Sequence, residues 1–126
     1  MNFPENLKYT KDHEWARNEN GIVVVGITDY AQGELGDIVF IEIPSVGTKT
    51  TVHKPFGTIE AVKAVSDLYA PVSGEIIEIN QKLKDTPETV NRDPYSQGWM
   101  VKIKSSNLKE LDDLMTSENY RKMIGK

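Results

Sequence analysis

The 126-residue chain is long enough to bury a hydrophobic core without covalent staples, and the absence of cysteine excludes disulfides and thiolate chemistry. Its 15 Lys and Arg stand against 19 Asp and Glu, a formal net charge of −4, with no basic block or stripe of the kind that nucleic acid recruits. The longest apolar run, Ile22 to Ile27, falls far short of the about 20 residues of a membrane span, and His13 and His53 are too isolated to suggest a metal site.

From the N-terminus, Met1-Asn-Phe-Pro-Glu-Asn lacks both the hydrophobic region of a signal peptide and an Arg-rich transit pattern, so a cytoplasmic protein is expected. Ile22-Val-Val-Val-Gly-Ile27 is β-branched and too short for a typical helix, which predicts a strand. Thr28-Asp-Tyr-Ala-Gln predicts a cap followed by one or two helical turns, limited by Gly33 and Gly36. Ile38 to Ile43 is a second strand, stopped by Pro44, and a short strand is expected near Lys49 to Val52 in the turn-rich stretch that follows. Residues 57–74 outline a β-hairpin, with Glu75 to Ile79 as the next strand. Lys82 to Tyr95, interrupted by Pro87 and Pro94, reads as a loop with one turn at Pro87 to Val90. Trp99 to Lys104 alternates, placing Trp99, Val101 and Ile103 on one face. Leu108, Leu111, Leu114 and Met115 then recur at helical spacing, with Asn107 as N-cap and Glu110 as its reciprocal partner, and a last helix from Ser117 to Ile124 carries Tyr120, Met123 and Ile124 on one side.

Apolar residues rise to Lys63 on one side (Ile59, Ala61, Val62) and resume beyond it (Ala64, Val65, Leu68), with Gly57 and Gly74 framing the segment. The pattern presents one lysine at a hairpin tip. An ammonium with a pKa near about 10.4 is a poor nucleophile, so a lysine held there suits modification by another enzyme better than chemistry of its own. On spacing alone, a solvated surface lysine is an equal reading. An enzyme is not indicated. No nucleophile–base pair has recognisable spacing, Gly33-Glu-Leu-Gly36 lacks the remainder of a phosphate loop, and His13-Glu14 is not followed by the second histidine of a zinc protease.

Glu60-Ala-Val-Lys63-Ala-Val-Ser-Asp67, followed by Tyr69-Ala-Pro-Val-Ser-Gly-Glu75, resembles the lipoyl-attachment segment of the glycine cleavage H-protein family. Three further blocks resemble that family in its own order: Tyr9-Thr-Lys-Asp-His-Glu-Trp15, then Val25 to Gln32 with Leu35 to Phe40, then Val90 to Tyr95 with Gly98-Trp99. The resemblance implies a mainly β fold, a flattened lipoyl/biotinyl-type barrel-sandwich hybrid of two pseudo-symmetric halves with a short N-terminal helix and C-terminal helices. Residues 1–126 are then expected to form one lipoyl-carrier domain, the barrel at about 7–104 and the helices at about 107–124. Biotinyl domains usually set their lysine between two methionines; Val62 and Ala64 stand here instead, which favours lipoate over biotin.

By the same resemblance, lipoate is joined in amide linkage to Lys63 by a lipoate ligase or octanoyltransferase. The chain is then a carrier rather than an enzyme, taking the aminomethyl group of glycine from the P protein, a glycine decarboxylase, to the T protein, an aminomethyltransferase. The L protein, dihydrolipoamide dehydrogenase, reoxidises the dithiol. A monomer is expected, with no nucleic acid, membrane or metal partner. The alternatives are a lipoate relay for other 2-oxoacid dehydrogenase complexes, a biotinyl carrier domain, or an unmodified interaction module. About a dozen staggered bonds of about 1.5 Å give the arm a reach on the order of 15 Å. In the family the loaded arm folds back into a surface cleft, where Glu14 and Asp67 are the matching acids; Glu60 and Asp67 also offer charges that a ligase can read. The chain departs from the family in having Glu34 where His is common, Asp12 where Ser is common and Ala61 where Ser is common; the first two make the expected cleft more acidic.

Overall fold

The computed structural model describes residues 1–126 and is built on two antiparallel sheets. Six strands form the larger, in the order β1 (Lys8–Tyr9), β2 (Glu14–Glu19), β3 (Ile22–Ile27), β9 (Val101–Ser105), β8 (Gly74–Ile79) and β5 (Lys49–Thr50). The smaller sheet has β6 (Pro55–Ala61) between β4 (Ile38–Glu42) and β7 (Val65–Tyr69). The main core lies between them. Val23, Val25 and Ile27 of β3, Ile76 of β8 and Ile103 of β9 meet Ile41, Ile59 and Leu68 of the smaller sheet.

The unbroken apolar run of β3 has a physical reason: the strand is covered on both faces. Val23 and Val25 face the main core, while Val24 joins Leu7, Tyr9, Trp15 and Tyr120 in a second cluster on the outside of the larger sheet. The turn from β2 to β3 uses Asn20 and Gly21, both at positive φ, the two-residue connection whose twist matches a right-handed hairpin. Helix α4 (Ser117–Ile124) seals the second cluster by stacking Tyr120 on Tyr9 at 4.9 Å between ring centroids. Thr116 caps it by accepting from the Asn119 N–H, and Gly125 ends it in the left-handed region.

The structure differs from the sequence reading in several places. Residues 82–95 hold two single-turn helices, α2 (Lys82–Asp85) and α3 (Thr89–Arg92), each anchored by one buried residue, Leu83 and Val90. Trp99 leaves the face of Val101 and Ile103 and packs on the second cluster, where Lys102 Nζ lies 5.1 Å from its ring centroid. The leucine-rich segment is a 3₁₀ helix, Leu108–Asp113. Asn107 caps it by accepting from the Lys109 N–H, but Glu110 accepts instead from the Ser73 N–H and hydroxyl, at 2.7 and 2.9 Å. Leu108 and Met123 are exposed rather than packed. No helix is long and apolar enough to cross a membrane.

Candidate functional site

Lys63 sits on the turn between β6 and β7. The Ala61 N–H donates to the Ala64 carbonyl at 2.7 Å, and the Val62 N–H donates to the Asp37 carbonyl at 3.0 Å, tying the turn to the segment that enters β4. Val62, Lys63 and Ala64 are all exposed. The lysine stem lies across Gly36, which ends helix α1 (Asp29–Leu35) at φ 80°. A Cβ at position 36 would stand 3.4 Å from Lys63 Cε and 3.9 Å from Nζ. The lysine stem therefore rests against the end of α1. Helix α1 begins with Thr28 accepting from the Ala31 N–H and closes on Gly36, with Gly33 inside it rather than at its end.

Beside this contact, between α1, β7 and the loop entering β2, lies a cleft of about 330 Å³. Four acidic residues border it, Asp12, Glu14, Glu34 and Asp67, with no lysine or arginine. Ile27, Ile59 and Leu68 supply a buried apolar wall. Glu14 is the deepest acid, only 2% exposed; its Oε1 accepts from the Thr10 hydroxyl at 2.6 Å and its Oε2 from the Tyr69 N–H at 3.2 Å. Burial pushes its pKa up to about 8, helped by the Asp12 charge and opposed by those hydrogen bonds. His13 also lines the cleft, at φ 73°. Its Nδ1 is 2.8 Å from the Tyr120 hydroxyl, which is 2.8 Å from the Thr28 hydroxyl. Burial lowers the His13 pKa against the opposing charges of Asp12 and Glu34.

The chemistry of this lining suits a cation on an apolar stem. Acidic residues favour an ammonium, and the isoleucine and leucine wall favours the chain that carries it.

The family model for the glycine cleavage H-protein matches residues 7–126. The chain belongs to the glycine cleavage H-protein family. A glycine cleavage system H protein of Geobacillus kaustophilus is 55% identical over 124 residues, 98% of each chain, and one of Staphylococcus carnosus is 53% identical over 125 residues, 99% of each chain. The crystal structure of a glycine cleavage system H protein from Mycobacterium marinum matches with a TM-score of 0.91 at 38% identity, covering 98% of this chain and 99% of that one. The two-sheet architecture is accordingly the lipoyl-type barrel-sandwich of the H-protein family.

Within this H-protein fold the residues singled out in the sequence fall in three places. Lys63 holds the tip, and Glu14 and Asp67 line the cleft together with Asp12 and Glu34. Glu60 stands apart, on the outer face of the smaller sheet between Phe40 and Val65. Gly57 lies within β6 rather than at the hairpin's edge, with the Glu42 carbonyl oxygen inside the space a Cβ would take. Gly74 belongs to the larger sheet, pairing with Thr50 and Ser105, and the Lys104 carbonyl occupies the corresponding space there. Gly36 and His13 were not anticipated as parts of the site. The sequence marks Gly36 only as one of two glycines that limit the expected helix; its use as a lysine rest depends on a fold contact.

Proposed function

We propose that this chain is the lipoyl-lysine carrier of the glycine cleavage system, a cytoplasmic, non-enzymic domain spanning residues 1–126. Lys63 is the attachment residue, acylated by a lipoate ligase or octanoyltransferase. The carrier takes the aminomethyl group of glycine from the P protein to the T protein and is reoxidised by the L protein. The observation that carries the reading is the pairing of an exposed turn lysine, resting on Gly36, with an adjacent acidic cleft.

Lipoate, when bound, supplies a dithiolane whose two sulfurs can be opened, loaded and closed again. The chain's own residues supply the rest. The turn leaves Val62, Lys63 and Ala64 exposed, with the lysine stem resting on the end of α1, so an acylating enzyme can close over them without unfolding the hairpin. Amide formation removes the lysine's charge, and Gly36 leaves the neutral stem free to lie along the end of α1. Ile59 and Leu68 form the apolar inner wall, and Asp12 and Glu34 draw a terminal ammonium inward, with Asp67 at the cleft's border. At neutral pH Glu14 holds its proton. A cation entering beside it favours the carboxylate, so occupation of the cleft is coupled to loss of the Glu14 proton.

The test is glycine-dependent CO2 exchange in a system reconstituted from the P protein and this chain after treatment with lipoate, ATP and a lipoate ligase. Exchange that requires ligase treatment and vanishes in Lys63→Arg supports the carrier reading. Exchange that survives the substitution contradicts it.

A further inference from the structure

The outer face of the smaller sheet carries a feature that the cleft does not use. Across its three strands Phe40, Glu60 and Val65 form one row, and Glu42, Thr58 and Asp67, the last at the border of the cleft, form another. Strand β4 bears a bulge: its register passes from Ile38 opposite Ala61 to Phe40 opposite Glu60, leaving Val39 as an extra residue. Strict alternation would put Phe40 on the same face as Ile38. The bulge turns Val39 and Phe40 outward together and returns Ile41 to the core. Val39 is 51% exposed and Phe40 50%, and Val62 and Val65 at the neighbouring hairpin tip are more open still. Adjoining exposed apolar side chains of this size mark an interaction surface.

Charge narrows what that surface can meet. Strands β4, β6 and β7 carry Glu42, Glu60 and Asp67 and no lysine or arginine, and Asp37 immediately precedes β4. Lys63 is the single basic residue between Pro55 and Tyr69. A second copy of the chain would bring the same acids against these, and anionic lipid or nucleic acid would be repelled. Position narrows it further. Phe40 lies two strand spacings from Val65, about 10 Å, whereas one side of a standard interface covers about 800 Å². A protein that closes over Lys63 therefore covers this row as well.

We infer that the outer face of the β4–β6–β7 sheet is the docking surface for the enzyme that acylates Lys63, a protein presenting an apolar pocket for Val39 and Phe40 inside a ring of lysines and arginines. The inference rests on Lys63 as the attachment residue. The apolar pair anchors, and the surrounding carboxylates steer the approach and set the register of the hairpin tip.

Steady-state acylation of the full chain by a lipoate ligase with lipoate and ATP, followed by intact-protein mass spectrometry, tests it. Val39→Thr combined with Phe40→Thr keeps strand-forming residues and should raise the KM for the carrier at least about fivefold, the effect of losing about 1 kcal/mol of binding, with kcat within about twofold. Phe40→Leu, which keeps an apolar anchor, should hold the unsubstituted KM. So should Ile77→Thr, which removes an exposed apolar residue from the larger sheet. Glu42→Lys should raise KM and flatten its dependence on salt. Unchanged KM in the double-threonine variant, with an unchanged melting curve, overturns the docking face alone. Absence of any mass shift in the unsubstituted chain overturns the attachment reading and this inference with it. Concentration-dependent dimerisation in sedimentation, abolished by the double substitution, would assign the face to a second copy and overturn it too.

Discussion

Glu14 combines near-complete burial with two hydrogen bonds that cannot fully compensate for it, and the raised pKa of about 8 is the result. Because the folded-state pKa lies above the unfolded value near 4.5, the folded protein holds a proton that the unfolded chain releases. The contribution of this group to stability is complete below about pH 4.5, declines as pH rises, and is lost by about pH 8. Subtracting the melting curves of Glu14→Gln from those of the unsubstituted protein isolates it. The unsubstituted protein should lose stability relative to the variant across that window, by on the order of a few kcal/mol. A flat difference would show that Glu14 titrates normally. Lys63→Arg, at an exposed tip, should shift stability by no more than about 0.5 kcal/mol while abolishing acylation, as read by calorimetry and intact mass. Glu60→Gln and Asp67→Asn should slow acylation with melting nearly unchanged. The acids were legible in the sequence because they stand in motifs. Glu14's depth was not, since it depends on Thr10, Tyr69 and the packing of β7 over the loop before β2.

Strand β6 is positioned by backbone approach at Gly57, and strand β8 by the same device at Gly74. A Cβ at either site meets a carbonyl oxygen of a neighbouring strand, and backbone has no rotamer with which to yield. Gly57→Ala should therefore cost at least about 1–3 kcal/mol and loosen the β4–β6 pairing that carries the hairpin. Gly74→Val should lower thermal stability as much or more. It should lower acylation through the larger sheet, since Gly74 does not border the turn. Paired melting curves and acylation rates check both. Helix α4 is a second case: Tyr120→Phe removes the hydroxyl shared by His13 and Thr28 and should cost about 1–2 kcal/mol. The strand at Ile22–Ile27 and the helix at Ser117–Ile124 were legible because composition and caps agreed with the fold. The bulge in β4 was not, because Ile38-Val-Phe-Ile-Glu-Ile43 is apolar nearly throughout and alternation has nothing to contrast. The spacing of three at Leu108, Leu111 and Leu114 suits 3.0 residues per turn as well as 3.6, and the 3₁₀ form prevailed where Glu110 turns away to bind Ser73.

The whole molecule brings four distant segments to one corner: the loop before β2, helix α1, the segment entering β4 and the β6–β7 turn. None of these proximities follows from local pattern. The sequence alone exposed the lysine and its flanking acids; the cleft exists only once both sheets close on the core and α1 spans their edge. That dependence predicts that the fold presents the lysine, because Val62-Lys63-Ala64 is too ordinary a tripeptide to be specific. A linear peptide spanning Gly57 to Gly74 should be acylated much more slowly than the intact chain, and equal rates would contradict fold-based presentation. The central claim, that this protein is a carrier loaded on one lysine, is tested most directly by incubating it with lipoate, ATP and a lipoate ligase and measuring intact mass with peptide mapping. The account predicts one lipoyl group per chain, located on Lys63. No mass shift, or a shift mapped to any other lysine, would contradict it.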